Sequence, residues 1–144
     1  VIIQTTLADK LAAITAPAGS YPVVITKVTS KKSQSEKSHN HRMVFSVGDG
    51  KYAGKEFEVV FNDAMKNASL LGSQMMFPSF EIVRLRAAID NVKLDEIPEG
   101  DYDLDLLIGK SLTLVVDIEQ VGGLYINKVT NFLPLGKAEG GWAK

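Results

Sequence analysis

The chain has 144 residues, no cysteine, 45% hydrophobic residues and a formal net charge of −1. That length suits one domain with a real core. The absence of thiols excludes a disulfide framework, a thiolate zinc site and a cysteine nucleophile. The near-neutral sum hides a segregation. Thr26 to Lys55 holds seven cations against two anions, whereas Asp90 to Glu119 holds nine anions against two cations. Such asymmetry is a nucleic-acid or partner signal. The opening "VIIQTTLADKLAAI" is too short and polar for a membrane span and lacks a cationic leader region.

Thr6 to Ile14 reads as a short helix, with Leu7, Leu11 and Ile14 on one stripe and Thr6 able to cap it. "APAGS" breaks it. Tyr21 to Thr29 is rich in β-branched residues and reads as a first strand. A flexible, cationic connection follows. Arg42 to Val47 then alternates, with Met43, Phe45 and Val47 on one face. "GDGKYAGK" is turn chemistry. Glu56 to Asn62 alternates again, with Phe57, Val59 and Phe61 together, so the two runs form a hairpin.

The period of two is lost from Asp63 to Asn91. Asp63 to Gly72 suggests a helical turn or two. "SFEIVRLRAAIDN" is the clearest helix, with Ser79 as N-cap and a stripe of Phe80, Val83 and Ala87 joined by Leu85 and Ile89. Asp95 to Asp105 reads as an acidic loop. A fourth strand follows Gly109, with Leu112, Leu114, Val116 and Ile118 on one face. "VGG" turns the chain into a fifth strand, ended by Pro134. The expected fold is mainly β: a single five-stranded OB-fold barrel over residues 1–144. It has a helical insert between strands 3 and 4, an N-terminal extension (1–18) with the short helix, and a flexible tail (135–144). That strand order is the OB order, and closure hides sheet edges. The alternative is an open α+β sheet.

The connection "TSKKSQSEKSHNHR" is the main functional candidate. In such a barrel it borders the face where single strands usually lie. Lys31, Lys32, Lys37 and Arg42 can track phosphates without reading sequence, and serines add donors. Lys51, Lys55 and Lys128 extend the cationic set. His39 and His41 share one strand face and could contact phosphate or stack on bases. A metal there lacks a third ligand at sensible spacing. Asp101-x-Asp103-x-Asp105 begins like a calcium loop, but Leu106 and Leu112 stand where Gly and Glu are required. The strand phenylalanines share the core parity, so the stacking candidates are Tyr52, Tyr125 and Trp142. No phosphate-cradling loop, dinucleotide fingerprint or nucleophile elbow is present.

"PAGSYPVVITKVTSKKSQSEK" followed by "HRMVFSVGDGKYAGKEFEVVFN" resembles the start of a family of bacteriophage-encoded single-stranded-DNA-binding proteins with an OB-type fold. Gly50 to Lys55 matches the family's Gly-Tyr-x-Gly-Lys-like turn. "LIGKSLTLVVDIE" and "INKVTNFLP" match its later strands. The likeness runs from about Pro17 to Pro134. Two segments depart from the family pattern: the long insert "NASLLGSQMMFPSF" and a tail without an acidic run. The resemblance implies a non-catalytic, largely sequence-independent binder of single-stranded DNA in phage replication or recombination. It implies the cytoplasm of an infected bacterium, no cofactor, no metal, no membrane, and replication or recombination proteins or a homo-oligomer as further partners. The alternatives are a protein-interaction accessory module using the acidic sector, and a small metal-dependent nuclease.

Overall fold

In a computed structural model, residues 1–7, 9, 15–33, 37–71, 74–138 and 141–142 are described. The strands are β1 (Gly19–Lys32), β2 (His39–Val47), β3 (Glu56–Asn62), β4 (Ser69–Leu71), β5 (Gln74–Pro78), β6 (Ser111–Val121), β7 (Leu124–Leu133), β8 (Lys137–Ala138) and β9 (Gly141–Trp142). One α-helix, α1 (Glu81–Asp90), and two 3-10 turns, Leu94–Glu96 and Leu104–Leu107, lie between β5 and β6.

Seven strands form one sheet in the order β4-β5-β3-β2-β1-β6-β7, rolled into a nearly closed barrel. The mainly-β barrel expectation holds, but the sheet has seven strands rather than five. The five expected strands are β1, β2, β3, β6 and β7. The additional two come from the insert. Ser69–Leu71, expected to be a helical turn, is strand β4. Gln74–Pro78 is β5, which pairs parallel with β3 from Val59↔Met75 to Asn62↔Pro78. Neither run alternates clearly, so their strand state comes from the open edge of β3, which needs backbone partners. The tail expected to be flexible contains the small β8–β9 ladder.

β1 is shared by both halves of the barrel. Its first part pairs with β6 from Gly19↔Val116 to Val24↔Ser111, and its longer part pairs with β2. The register slips between Ile25 and Lys27. A bulge bends and twists a strand, which is what rolling one strand through two sheet directions requires. Ile25 accepts a backbone bond from Gly109 at 2.7 Å and donates one to Lys110 at 2.9 Å. Gly109 has φ +88°, a conformation that favours glycine.

Inward parity is as expected on β2 and β3: Met43, Phe45, Val47, Phe57, Val59 and Phe61 are all buried. Phe132 of β7 joins them. Its ring lies 5.4 Å from Phe77, 6.1 Å from Phe61 and 6.3 Å from Phe45, centroid to centroid. One side chain of the last long strand thus meets rings from β2, β3 and β5.

The helix differs from expectation in two ways. Its N-cap is Phe80, with no side-chain cap bond, and the Ser79 hydroxyl has no hydrogen-bond partner among the described residues. Its buried residues are Leu85, Ala87 and Ala88, while Phe80 and Val83 are 61% and 38% exposed. The helix packs on β6 and β7; Leu85 and Ala87 are buried as expected, and the docking face takes Ala88 in place of Phe80 and Val83. Most of the expected helix Thr6–Ile14 lies outside the described residues. At its start, Thr6 N–H donates to Asp9 Oδ2 at 2.9 Å and Asp9 N–H donates to Thr6 Oγ1 at 3.1 Å. This reciprocal pair is the capping role expected of Thr6. Among the described residues, no helix is long and apolar enough to cross a membrane.

Phe132→Ala should remove barrel closure and about 3–5 kcal/mol of stability. Urea denaturation followed by Trp or Tyr fluorescence measures this. A loss of under about 1 kcal/mol would mean that the ring cluster does not hold the barrel shut.

Candidate nucleic-acid interface

The connection expected to be flexible is largely strand. β1 runs on to Lys32 and β2 starts at His39, with Ser30↔His41, Lys31↔Asn40 and Lys32↔His39 in register. The hairpin therefore carries most of its cations on a ladder, and Ser33 N–H donates to the Ser38 carbonyl at 2.8 Å just beyond it. Alternation puts Ser30, Lys32, His39 and His41 on the side that lower down is the core, at the mouth of the barrel. Lys31, Asn40 and Arg42 face outward with Thr29.

A buried polar cluster that sequence spacing does not reveal holds the hairpin tip. Asn62, at the end of β3, is 7% exposed. Its Nδ2 donates to Asn40 Oδ1 at 2.6 Å and to Ser38 Oγ at 3.2 Å, while its Oδ1 accepts from Ala64 N–H at 2.8 Å. Ser38 in turn donates to Ser33 Oγ at 3.0 Å. Ser79 N–H donates to the Asn62 carbonyl at 3.0 Å. The one signal in the sequence is "FND", because Asn at a strand end bonds the backbone two residues on. The network satisfies its members, as burial demands.

Beside it, Asp63 accepts the His39 backbone N–H at 2.8 Å, and its other oxygen lies 3.3 Å from His39 Nδ1. Ser30 Oγ lies 2.7 Å from His41 Nδ1. The two imidazoles stack with centroids 6.3 Å apart. Burial holds the His41 pKa below the ordinary imidazole value; the Asp63 charge opposes this and His39 adds to it. The His39 backbone N–H is the main reason the Asp63 carboxyl sits below its usual range. No group of three or more His, Asp or Glu among the described residues could hold a metal ion.

The remaining expected site residues scatter. Arg42 Nε is 2.7 Å from Glu58 Oε1 on the outer face. Lys31 and Lys32 are exposed and have no ion-pair partner among the described residues, and Lys37 is exposed near the hairpin tip. Lys51 lies 5.7 Å above the Tyr52 ring. Tyr52 is not a free-standing stacking ring: it is half-buried against the core, edge-on to Tyr21 at 5.9 Å. Tyr21 also touches Phe57 at 5.8 Å and donates its hydroxyl to the Pro17 carbonyl. Lys55 and Tyr125 come to the same groove, of about 300 Å³, where the edges of β3 and β7 face each other, with Glu56, Glu58, Gln74 and Asn127. Asn127 also clamps the N-terminal segment, accepting from Ala16 N–H and donating to its carbonyl, both at 2.8 Å. Lys128 Nζ is 3.6 Å from Glu119 Oε2. Trp142 lies in β9. The structure thus brings together Lys31, Lys32, Lys37, His39, His41 and Arg42 on the hairpin, and Lys55 with Tyr125 at the seam. It leaves Lys51, Tyr52 and Lys128 apart from both.

The outer face of β2 and β3 carries Arg42, Val44 and Ser46 beside Glu56, Glu58 and Val60. It displays two carboxylates and no aromatic ring. No protein-family model matches the sequence, and no curated protein matches it.

Two expectations follow. Tyr52→Ala should cost about 1–2 kcal/mol of stability because the ring packs on Tyr21 and the core, and Tyr52→Phe almost nothing, both read from urea midpoints. The hairpin also predicts a pH dependence. His41 and Asp63 both have folded pKa values below their unfolded ones, so the unfolded chain binds more protons and stability rises with pH. The His41 share falls away as pH drops below about 6.5, and the Asp63 share as pH drops below about 3.9 through its lowered folded pKa. Unfolding midpoints in a pH series should therefore fall on acidification. His41→Gln should flatten the slope only in the upper window, and Asp63→Asn only in the lower. Unchanged slopes in both variants would show that neither group titrates differently on folding.

Proposed function

We propose that the barrel is an OB-type fold and that the chain coats single-stranded DNA with little sequence preference and without catalysis. In this reading it serves phage replication or recombination in the cytoplasm of an infected bacterium. The antiparallel order β3-β2-β1-β6-β7, with a helix after β3 and a bulged β1 common to both halves, is the order that fold requires. β4 and β5 are then additions to its β3 edge.

The observation that carries the functional reading is the β1–β2 hairpin. It stands at the barrel mouth, is held at its tip by a buried network, and presents Lys31, Lys32 and Lys37 to solvent. A stiff arm loses little conformational freedom when it meets a phosphate chain. The stacked imidazoles of His39 and His41 lie on the same arm, and Tyr125 with Lys55 at the seam offers a second contact. With no ring on the outer β2–β3 face, electrostatics dominates over stacking.

A gel-shift series comparing a fluorescent single-stranded oligonucleotide with its duplex tests this. Binding should favour the single strand and weaken with salt, log K falling against log salt with a slope of about −2 to −4. Replacing Lys31, Lys32 and Lys37 together by Ala should reduce that slope by roughly 0.7 for each phosphate that is no longer neutralised. Melting should hardly change, because all three are exposed surface positions. No binding, or binding that ignores salt and the triple substitution, would sink the proposal.

A further inference from the structure

Apart from the hairpin and its cations, α1 and the loop after it enclose a groove of about 580 Å³. Val83, Leu94, Ile97 and Pro98 are its apolar lining, and Asp95, Glu99 and Arg86 its charged lining. Leu94 is 52% exposed, and Phe80 extends the apolar strip along the helix. Phe80 and Val83 belong to the stripe that sequence spacing assigns to the core, yet both are exposed, unlike Leu85 and Ala87 of the same set. The groove is built rather than incidental. Asn91 takes a left-handed conformation that closes the helix, and its N–H reaches the Ala87 and Ala88 carbonyls. Glu96 Oε1 accepts the Lys93 N–H at 3.1 Å, and Ile97 N–H closes the turn on the Leu94 carbonyl at 3.2 Å. The Arg86 guanidinium lies 3.7 Å over the Tyr102 ring, which fixes that part of the lining.

Charge identifies the occupant. Asp95 and Glu99 line the groove and are exposed, without an ion-pair partner among the described residues; the flanking stretch adds the exposed Asp90, Glu96 and Asp101 against Lys93, and Arg86 is turned onto the Tyr102 ring. A ligand with apolar anchors inside a cationic rim relieves that repulsion and covers the apolar lining at once. Nucleic acid and anionic lipid have the wrong sign. We propose that this groove receives a basic amphipathic helix of a partner protein, whose apolar residues at i, i+3 and i+4 sit on Val83 and Leu94 while its lysines or arginines meet Asp95 and Glu99. The surface is separate from the hairpin and stands whether or not the hairpin binds DNA.

The test uses the full chain, isotope-labelled, titrated with a synthetic helix of about 18 residues bearing leucines at helical spacing among lysines. A peptide of the same composition in scrambled order is the control. The patterned peptide should shift the backbone amides of Val83, Arg86, Leu94, Ile97 and Gly100 and bind at least about tenfold more tightly than the scrambled one. Leu94→Ser and Val83→Ser should each weaken it at least about fivefold with unchanged melting, since both side chains are already exposed. Asp95→Asn with Glu99→Gln should reduce the salt dependence. Equal binding of the two peptides would overturn the proposal. Amide shifts that avoid the groove would do so too. A dimer seen by light scattering, seated on these same residues without peptide, would give the groove to a second copy instead.

Discussion

Closure of the barrel is the constraint on which the other features depend. A rolled sheet needs something to hold its first and last strands in place, and here that is aromatic contact across the interior. Phe132 reaches Phe45, Phe61 and Phe77 from the opposite wall. The bulge in β1 makes the roll possible by letting one strand serve two sheet directions. With closure fixed, β1 runs on past the end of its β6 pairing to Lys32, with β2 and then β3 beside it, and β6 and β7 provide the surface on which α1 docks.

The same geometry separates the charges. Lysines gather on the arm, where the ladder holds them, and carboxylates gather around α1 and the loop that follows. Some cations are already committed within the fold: Arg42 to Glu58, Lys128 to Glu119, and Arg86 to the Tyr102 ring. Those pairs are exposed or partly exposed and contribute little to stability. Their larger effect is to lower the number of cations offered to an outside ligand, which leaves Lys31 and Lys32 among the most available.

Much of the β framework is legible in the sequence because burial there follows a period of two. Phe45 and Met43, or Phe57 and Phe61, cannot leave the core without every neighbour changing face. The legible part of the candidate site is its cationic composition. Its rigidity is not legible, because it depends on Asn62, 22 residues beyond its partner Asn40. The hairpin pattern puts Arg42 and Glu58 on one outer face, but the register that brings them into contact is not legible. The insert resists reading for a related reason. "SLL" and "QMMFP" have weak preferences of their own and become strands only because β3 offers an edge. On α1, two apolar stripes compete, and tertiary docking selects Leu85 and Ala88 over Phe80 and Val83. Tyr52 reads as an exposed turn residue, yet Tyr21, thirty-one positions earlier, draws it onto the core.

The outer face of β2 and β3 bears on how this protein can change over generations. Inward side chains on these strands are locked by packing, and Asn62 is locked by its hydrogen bonds. Between them, Arg42, Ser46, Glu56 and Glu58 touch mainly solvent or one another. Substitution there is nearly neutral for folding, so the sign and density of charge on that wall can drift rapidly while the barrel stays the same. A lineage could turn this wall from mixed to cationic in two or three codon changes, and widen or narrow its range of ligands without rebuilding anything beneath.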